Sequence, residues 1–591
     1  MTAPQYPAFH SATTSTILNR HGQASKFRVS NENLPGDMSM RQTSPTPTDF
    51  SQPDQSLDFL RNINVTDMDA ATSALETLLQ GMAISSPEPL GQLRVLEEVR
   101  PALDYVMGEV SKRYASRPLP PLSNEEETLQ QVVRLWRLME NNYGFVVQRL
   151  ALQDESSHQD KRALLCQRRL RYHSLAMIEF FRAHQEIPAD YWRDLHRLFA
   201  TAERAGVASV RVSDPLNETW AAQSAQECYI ATLLIDAASP YSRTPCEFLW
   251  LIRWALRFAP HCTLHADRQP GNASSYLLSP EADFGLRPAL ALPADTPARS
   301  LETTRLASHI QVVVAQLKGG VSASSLGLGE DCVQPACARL LVSLYRPWGL
   351  ASAGRRFPRT AAQGQIRVCV EPAAVAFFMT GKPFTQPDDV QASFNDFTRT
   401  EAMLALGERV EDIAGKENYL ERKALELGYV QELWDVLDQS VTGFRLMRAD
   451  GSSRIDHRQL IGLRTDARAR MMLAEISWLQ YQQRGTLCAG ISMLPGPPMV
   501  LAVKLLAADR RNGREPFRLG FLIPGVPVLK TDPSLIVPAG WFAAERRVEV
   551  RADEHVWVAQ MTRLISRGAN FDRIGFTRQE SAATGQPENA Q

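Results

Sequence analysis

The apolar positions divide the chain into stretches of different period. Residues 1–55 are rich in Ser, Thr, Pro, Asn and Gln and poor in large apolar side chains. Such a segment buries too little surface to offset the entropy of ordering it, so a disordered tail is expected. From 56 to 345 the period is helical. It is clearest after Ser123, where Leu129, Val132, Val133, Trp136, Met139, Tyr143, Val146 and Leu150 recur at helical spacing as one wide stripe. Ser123 and Glu126 make a capping-box pattern at its start. Similar stripes cover 161–183, 191–205, 226–238, 247–258, 301–318 and 336–345. Short polar links between them predict an antiparallel bundle or a repeat-like helical layer. Residues 266–299, with many Pro, Ala and Asp, read as a linker or a strand-poor excursion.

Past residue 350 the pattern changes. Residues 365–370 alternate as a half-buried strand does. Residues 393–434 are charged and helix-prone, with Leu404, Leu406, Val410, Ile413, Leu420 and Leu425 as the apolar positions. After Asp438 the helical period gives way to short apolar runs at 444–447, 471–478, 487–494, 499–506, 517–523, 535–537, 547–550 and 556–564, separated by turn residues. Seven or eight strands punctuated by Gly and Pro predict a small closed barrel. Residues 577–591 are polar and are expected to be a second disordered tail. The fold class is therefore α+β multidomain. An all-α helical domain at 56–345 precedes an antiparallel β-barrel at 350–576 that carries a helical insertion at 393–434.

Composition adds limits. A length of 591 residues is too great for one core. With 64 Lys+Arg against 65 Asp+Glu, the net charge of -1 gives no bulk attraction to a nucleic-acid polymer or an anionic membrane. No segment approaches the roughly 18–20 apolar residues of a membrane helix, so no membrane insertion is expected. The first residues show no leader pattern. The eight cysteines are scattered without a Cys-x-x-Cys, which suits reduced thiols in the cytoplasm.

Enzyme motifs are missing: there is no Gly-x-Ser-x-Gly, His-Glu-x-x-His, phosphate-binding loop or dinucleotide fingerprint. Leu326-Gly327-Leu328-Gly329 reads as a loop. His261-Cys262-Thr263-Leu264-His265 clusters metal-ligand types, but no further ligand follows at fixed spacing. The run Arg168-Arg169-Leu170-Arg171 reads as a solvated helix face. No catalytic residue, metal or cofactor is expected.

Two pieces do suggest a ligand. Arg355-Arg356-Phe357-Pro358-Arg359 gathers three guanidinium groups in five residues. Asp438-Gln439-Ser440-Val441-Thr442-Gly443 sets a carboxylate, a hydroxyl and a glycine before an apolar run. The planar guanidinium fork matches phosphate oxygens and stacks on a purine. A carboxylate can accept hydrogen bonds from a base edge, and glycine admits close backbone approach.

In this order, Arg-x-x-x-Arg followed by Asp-x-Ser-x-x-Gly and a run of strands resembles the PilZ domain, a family of bacterial cyclic di-GMP receptors built on a six-stranded barrel. The resemblance covers about 350–576. It implies that Arg355, Arg356 and Arg359 hold the phosphates and stack on guanine, and that Asp438, Ser440 and Gly443 lie against a guanine on the barrel face. Family members usually separate the two motifs by a few tens of residues, whereas here the 393–434 stretch intervenes. The expected function is a cyclic di-GMP-responsive regulator whose helical domain meets a protein partner. The alternative is a helical scaffold whose barrel has lost the ligand.

Overall fold

The computed structural model describes residues 49–151, 159–269, 275–350, 358–387, 413–449, 453–465, 469–506, 515–552 and 555–579. Arg355, Arg356 and the first part of the expected insertion, 393–412, lie outside the described residues, as do most of the two expected tails.

Among the described residues, ten α-helices form the N-terminal half: α1 (Pro53–Arg61), α2 (Met68–Ser85), α3 (Pro89–Val110), α4 (Ser123–Leu150), α5 (Gln159–Arg182), α6 (Tyr191–Arg204), α7 (Ala225–Ala237), α8 (Pro245–Phe258), α9 (Thr304–Lys318) and α10 (Ala336–Gly349). The 123–150 stripe is buried along α4, as its period requires. Its start is capped differently from the expectation, because Glu125 rather than Glu126 reaches back to the Leu122 N–H, at 2.8 Å. One apolar cluster joins α1–α5 and a second joins α5–α10, so α5 serves both.

Two expectations for this half are corrected. The 266–299 excursion belongs to a four-stranded antiparallel sheet of β3 (Thr263–His265), β4 (Ser275–Leu278), β5 (Arg287–Pro288) and β6 (Arg299–Glu302); an earlier two-stranded ribbon pairs β1 (Val212–Ser213) with β2 (Ala222–Gln223). The arginine run is not solvated. Arg168 is only 1% exposed and bonds Glu97 and Asp214, while Arg100 from α3 meets the same two carboxylates. Charges buried this way must be paired, and this network pins the loop at Asp214 to α3 and α5.

The strands of the second half form two closed rings rather than one barrel. In the first, β8 (Gln365–Cys369), β9 (Glu432–Ser440), β10 (Gly443–Arg448), β13 (Leu487–Met493), β12 (Met472–Tyr481) and β11 (Leu460–Arg464) pair in that order, and β11 returns to β8; β7 (Thr360–Ala361) adds to β9. In the second, the order is β14 (Met499–Leu506), β15 (Arg518–Ile523), β16 (Ser534–Pro538), β19 (Phe571–Gln579), β18 (His555–Arg567) and β17 (Arg547–Ala552). Each ring encloses its own apolar core.

The expected insertion is also revised. Between β8 and β9 lie α11 (Pro372–Thr380) and α12 (Ile413–Glu426), whereas 432–434 already belong to β9. The chain leaves the first barrel, builds α11 between the two barrels and returns. Ala374, Val375 and Ala376 of α11 pack against Cys369, Leu460 and Leu473 of the first barrel and against Phe521, Ile523 and Ile536 of the second. Gly462 leaves the space that Val375 fills, since a Cβ there would lie 2.7 Å from the valine methyl.

The helical half docks on the first barrel through main-chain pairing. Leu119 and Ile455 exchange N–H···O bonds of 2.8 Å, and the Leu119 side chain joins the barrel core. Tyr481 at the end of β12 donates to His184 O and accepts from Glu186 N, both at 2.8 Å. Arg454 adds bonds to Pro118 O, Pro120 O and Glu125.

Candidate functional site

Strands β9 and β10 form a hairpin whose two-residue loop is Val441-Thr442, with Ser440 paired to Gly443. The Asp-x-Ser-x-x-Gly pattern is therefore the end of one strand, a tight turn and the start of the next. Gly443 has a plain structural cause: a Cβ there would sit 1.9 Å from the Ile491 carbonyl oxygen of β13. Only glycine lets β10 approach β13 this closely. The Ser440 hydroxyl donates to Gly443 O at 3.3 Å and closes the turn.

β7 brings Arg359 to this hairpin. Thr360 pairs with Gln439 and Ala361 with Asp438, so Arg359, one residue before β7, arrives beside the carboxylate. Arg359 Nη1 donates to Asp438 Oδ1, and both side chains keep about a fifth to a quarter of their surface exposed (24% and 20%). Arg359 and Asp438, one residue from each motif, thus meet on one barrel across 79 residues of sequence. Arg359, Asp438, Ser440 and Gly443 are brought together.

Sequence reading overlooked two residues on the same outer face. Arg445 lies directly opposite Asp438 on β10 and opposite Gly490 on β13. Trp478 of β12 is also paired with Gly490. The indole lies across that glycine, since a Cβ on Gly490 would be 1.8 Å from Trp478 Nε1. The Arg445 guanidinium carbon is 5.9 Å from the centre of the Trp478 ring, a cation–π distance. Arg445 Nε is buried without a hydrogen-bond partner among the described residues. Burial pushes the thiol of neighbouring Cys488 up, and Arg445 opposes that shift. The available signal was strand alternation: once β9, β10 and β12 are in register, Asp438, Arg445 and Trp478 must share a face.

This face offers two guanidinium groups, one carboxylate and an indole. It can take an anion on the arginines, a flat ring against Trp478 and a hydrogen-bond donor edge on Asp438. Two clefts of about 490 and 430 Å³ lie elsewhere, one beside Arg168 and Val212 and one between α4, α5 and the β12–β13 turn; neither is lined by Arg359 or Asp438. In the His-Cys-x-x-His stretch, His261 stacks on His309 with ring centres 4.2 Å apart and Cys262 is buried; no group of three metal-ligating side chains occurs among the described residues. No described helix is long and apolar enough to cross a membrane.

Comparison with known proteins bears on both halves. Residues 55–269 match the family described as the N-terminal domain of the cyclic-di-GMP receptor FimW, and residues 501–579 match the FimW C-terminal beta-barrel domain. The chain is similar to FimW. The cyclic-di-GMP receptor FimW of Pseudomonas aeruginosa is 20% identical over 529 residues, which span 83% of this chain and 85% of that protein. The FimW N-terminal match covers α1 to α8, and the C-terminal match covers most of the second barrel. The hairpin with Asp438 lies between the two matched ranges.

Proposed function

We propose that the chain is a receptor for cyclic di-GMP and that the first barrel holds the ligand in the manner of a PilZ domain. The observation that carries this reading is the Arg359–Asp438 pair, which β7 pairing sets on the same outer face as Arg445 and Trp478. Likeness to a cyclic-di-GMP receptor over 529 residues supports the choice of ligand.

The dinucleotide carries two phosphates and two guanines. Its phosphates draw Arg359 away from Asp438, joined by Arg355 and Arg356 from the preceding segment. The freed carboxylate accepts the N–H edge of a guanine, and Ser440 and Gly443 border that base. The second wall is the Arg445–Trp478 pair, on which a base stacks. The binding is receptor chemistry, with no bond made or broken, and the setting is the cytoplasm. Ligand binding passes to the helical half through β12: Trp478 faces the ligand, while the adjacent Leu479 carbonyl accepts from His184 Nδ1 at 2.9 Å and Tyr481 pairs with His184 and Glu186, just after α5. The helical half then changes its contact with a protein partner, in keeping with the rule that a ligand shifts an equilibrium by its differential affinity.

One observation favours a second reading, a scaffold without ligand. Gly443 and Ser440 have structural reasons to be present, and Asp438 already has Arg359 as a partner. Calorimetric titration with cyclic di-GMP separates the two. The receptor reading expects saturable heat that Arg359→Ala with Asp438→Ala abolishes; no heat from folded protein supports the scaffold.

A further inference from the structure

The chain was expected to hold only reduced thiols, yet Cys332 and Cys337 form a disulfide, with Cα atoms 5.6 Å apart. The other six cysteines are free, and of these only Cys246 is exposed. We propose that Cys332–Cys337 is a reversible thiol–disulfide modification site that latches α10 to α8.

The loop between α9 and α10 is strapped to α8 before it reaches Cys332. Leu328 is fully buried and its carbonyl accepts from Trp254 Nε1 at 2.9 Å. Asp331 accepts from Trp250 Nε1 at 2.9 Å and from the Arg253 guanidinium. Gly327 and Gly329 have φ of +68° and +115°, and a Cβ on either would collide with Arg257 or Arg253. Up to Asp331, therefore, the loop is held by α8. Cys337 lies in the first turn of α10, wholly buried in the helical core. The disulfide is the covalent step between these two parts. Val333, Gln334 and Pro335 between the sulfurs are exposed, so the bond lies just beneath a thin surface loop.

Consequences follow from where α10 leads. Its far end is fixed by Trp348 Nε1, which donates to Leu234 O at 2.8 Å. The residues after Gly349 are those that reach Arg359. The latch therefore acts on the last described helix before Arg359. Exchange is balanced chemistry. A small dithiol reduces the bond to two thiols and becomes a disulfide itself; a small-molecule disulfide accepts two electrons and two protons from the thiols in the reverse step. Cys246 is a poor internal attacker, because partial desolvation, with Asp331 and Glu247 nearby, pushes its thiol up.

The test uses the full chain carrying Cys246→Ser, which removes the exposed thiol. Protein equilibrated with oxidised glutathione is alkylated under denaturing conditions and mapped by mass spectrometry, with and without prior dithiothreitol. Labels at 332 and 337 that appear only after reduction are expected. Backbone hydrogen exchange is then measured in both states. Reduction is expected to speed exchange across 329–340 by about tenfold or more and to leave the second barrel unchanged. Labelling of both cysteines in the oxidant-equilibrated sample overturns the proposal, and so does equal exchange in the two states. Neither readout involves the dinucleotide.

Discussion

Gly443 and Asp438 stand five residues apart, yet different physics holds each in place. The glycine answers to the β13 backbone, since Ile491 O occupies the place of a side chain. Gly443→Ala should destabilise the barrel by about 2–4 kcal/mol, because a rigid carbonyl cannot yield to the added methyl. Urea unfolding followed by circular dichroism checks this, and an unchanged midpoint would show that β10 can shift. Asp438 answers to Arg359 instead. The pair is partly exposed, so it adds little to stability, of the order of 1 kcal/mol or less. Asp438→Asn should therefore leave unfolding nearly unchanged while weakening cyclic di-GMP binding about tenfold or more. Loss of stability without loss of affinity would recast Asp438 as structural.

At the scale of elements, the helices were legible because most of them bury one face. The starts of α6 and α10 are where periodicity places them, and most of the helical boundaries lie close to the expected ones. The strands that form turns with Gly and Pro were legible too. What escaped was β9, whose Glu432–Ser440 sequence is interrupted by Glu432, Asp435, Asp438 and Gln439 and so lacks a strand's apolar run. The short helix α11 escaped because nearly all its residues are apolar, which erases a helical stripe. Its composition makes sense only between two barrels, each of which it touches. Phe377, fully buried against Phe378 and Tyr429, should cost about 3–5 kcal/mol as alanine. Limited proteolysis of Phe377→Ala should release a fragment beginning near 499, and intact protein at matched protease would contradict the bridging role of α11. At the site itself, the two motifs were visible in sequence, but Arg445 and Trp478 were not, because no local pattern marks residues that register alone brings together.

For the whole molecule, the arrangement hangs on the contact between helical half and first barrel. Two imidazoles lie in that contact, His184 and His457, with ring centres 5.1 Å apart. Burial lowers both, and His457 is held down to about 3, first by burial and then by His184. Arg458 and Arg243 also disfavour its protonation. The ordinary value is 6.5, so between that pH and 3 the unfolded chain binds the proton and the folded chain does not. This contribution is complete above pH 6.5 and declines as the pH falls toward 3. The melting temperature should drop from pH 7 to pH 5, and His457→Gln should flatten part of that slope. An identical slope in the variant would place the proton uptake elsewhere, for example at His173, also held at about 3.

The central claim is that Arg359 and Asp438, far apart in sequence, are two walls of one cyclic di-GMP site. Isothermal titration of the folded full chain with cyclic di-GMP tests it, beside the Arg359→Ala, Asp438→Ala double variant. Saturable binding at about 10–50 μM ligand or below, lost in the double variant, is the predicted result. No heat from the folded wild type, or equal affinity in the variant, would contradict it.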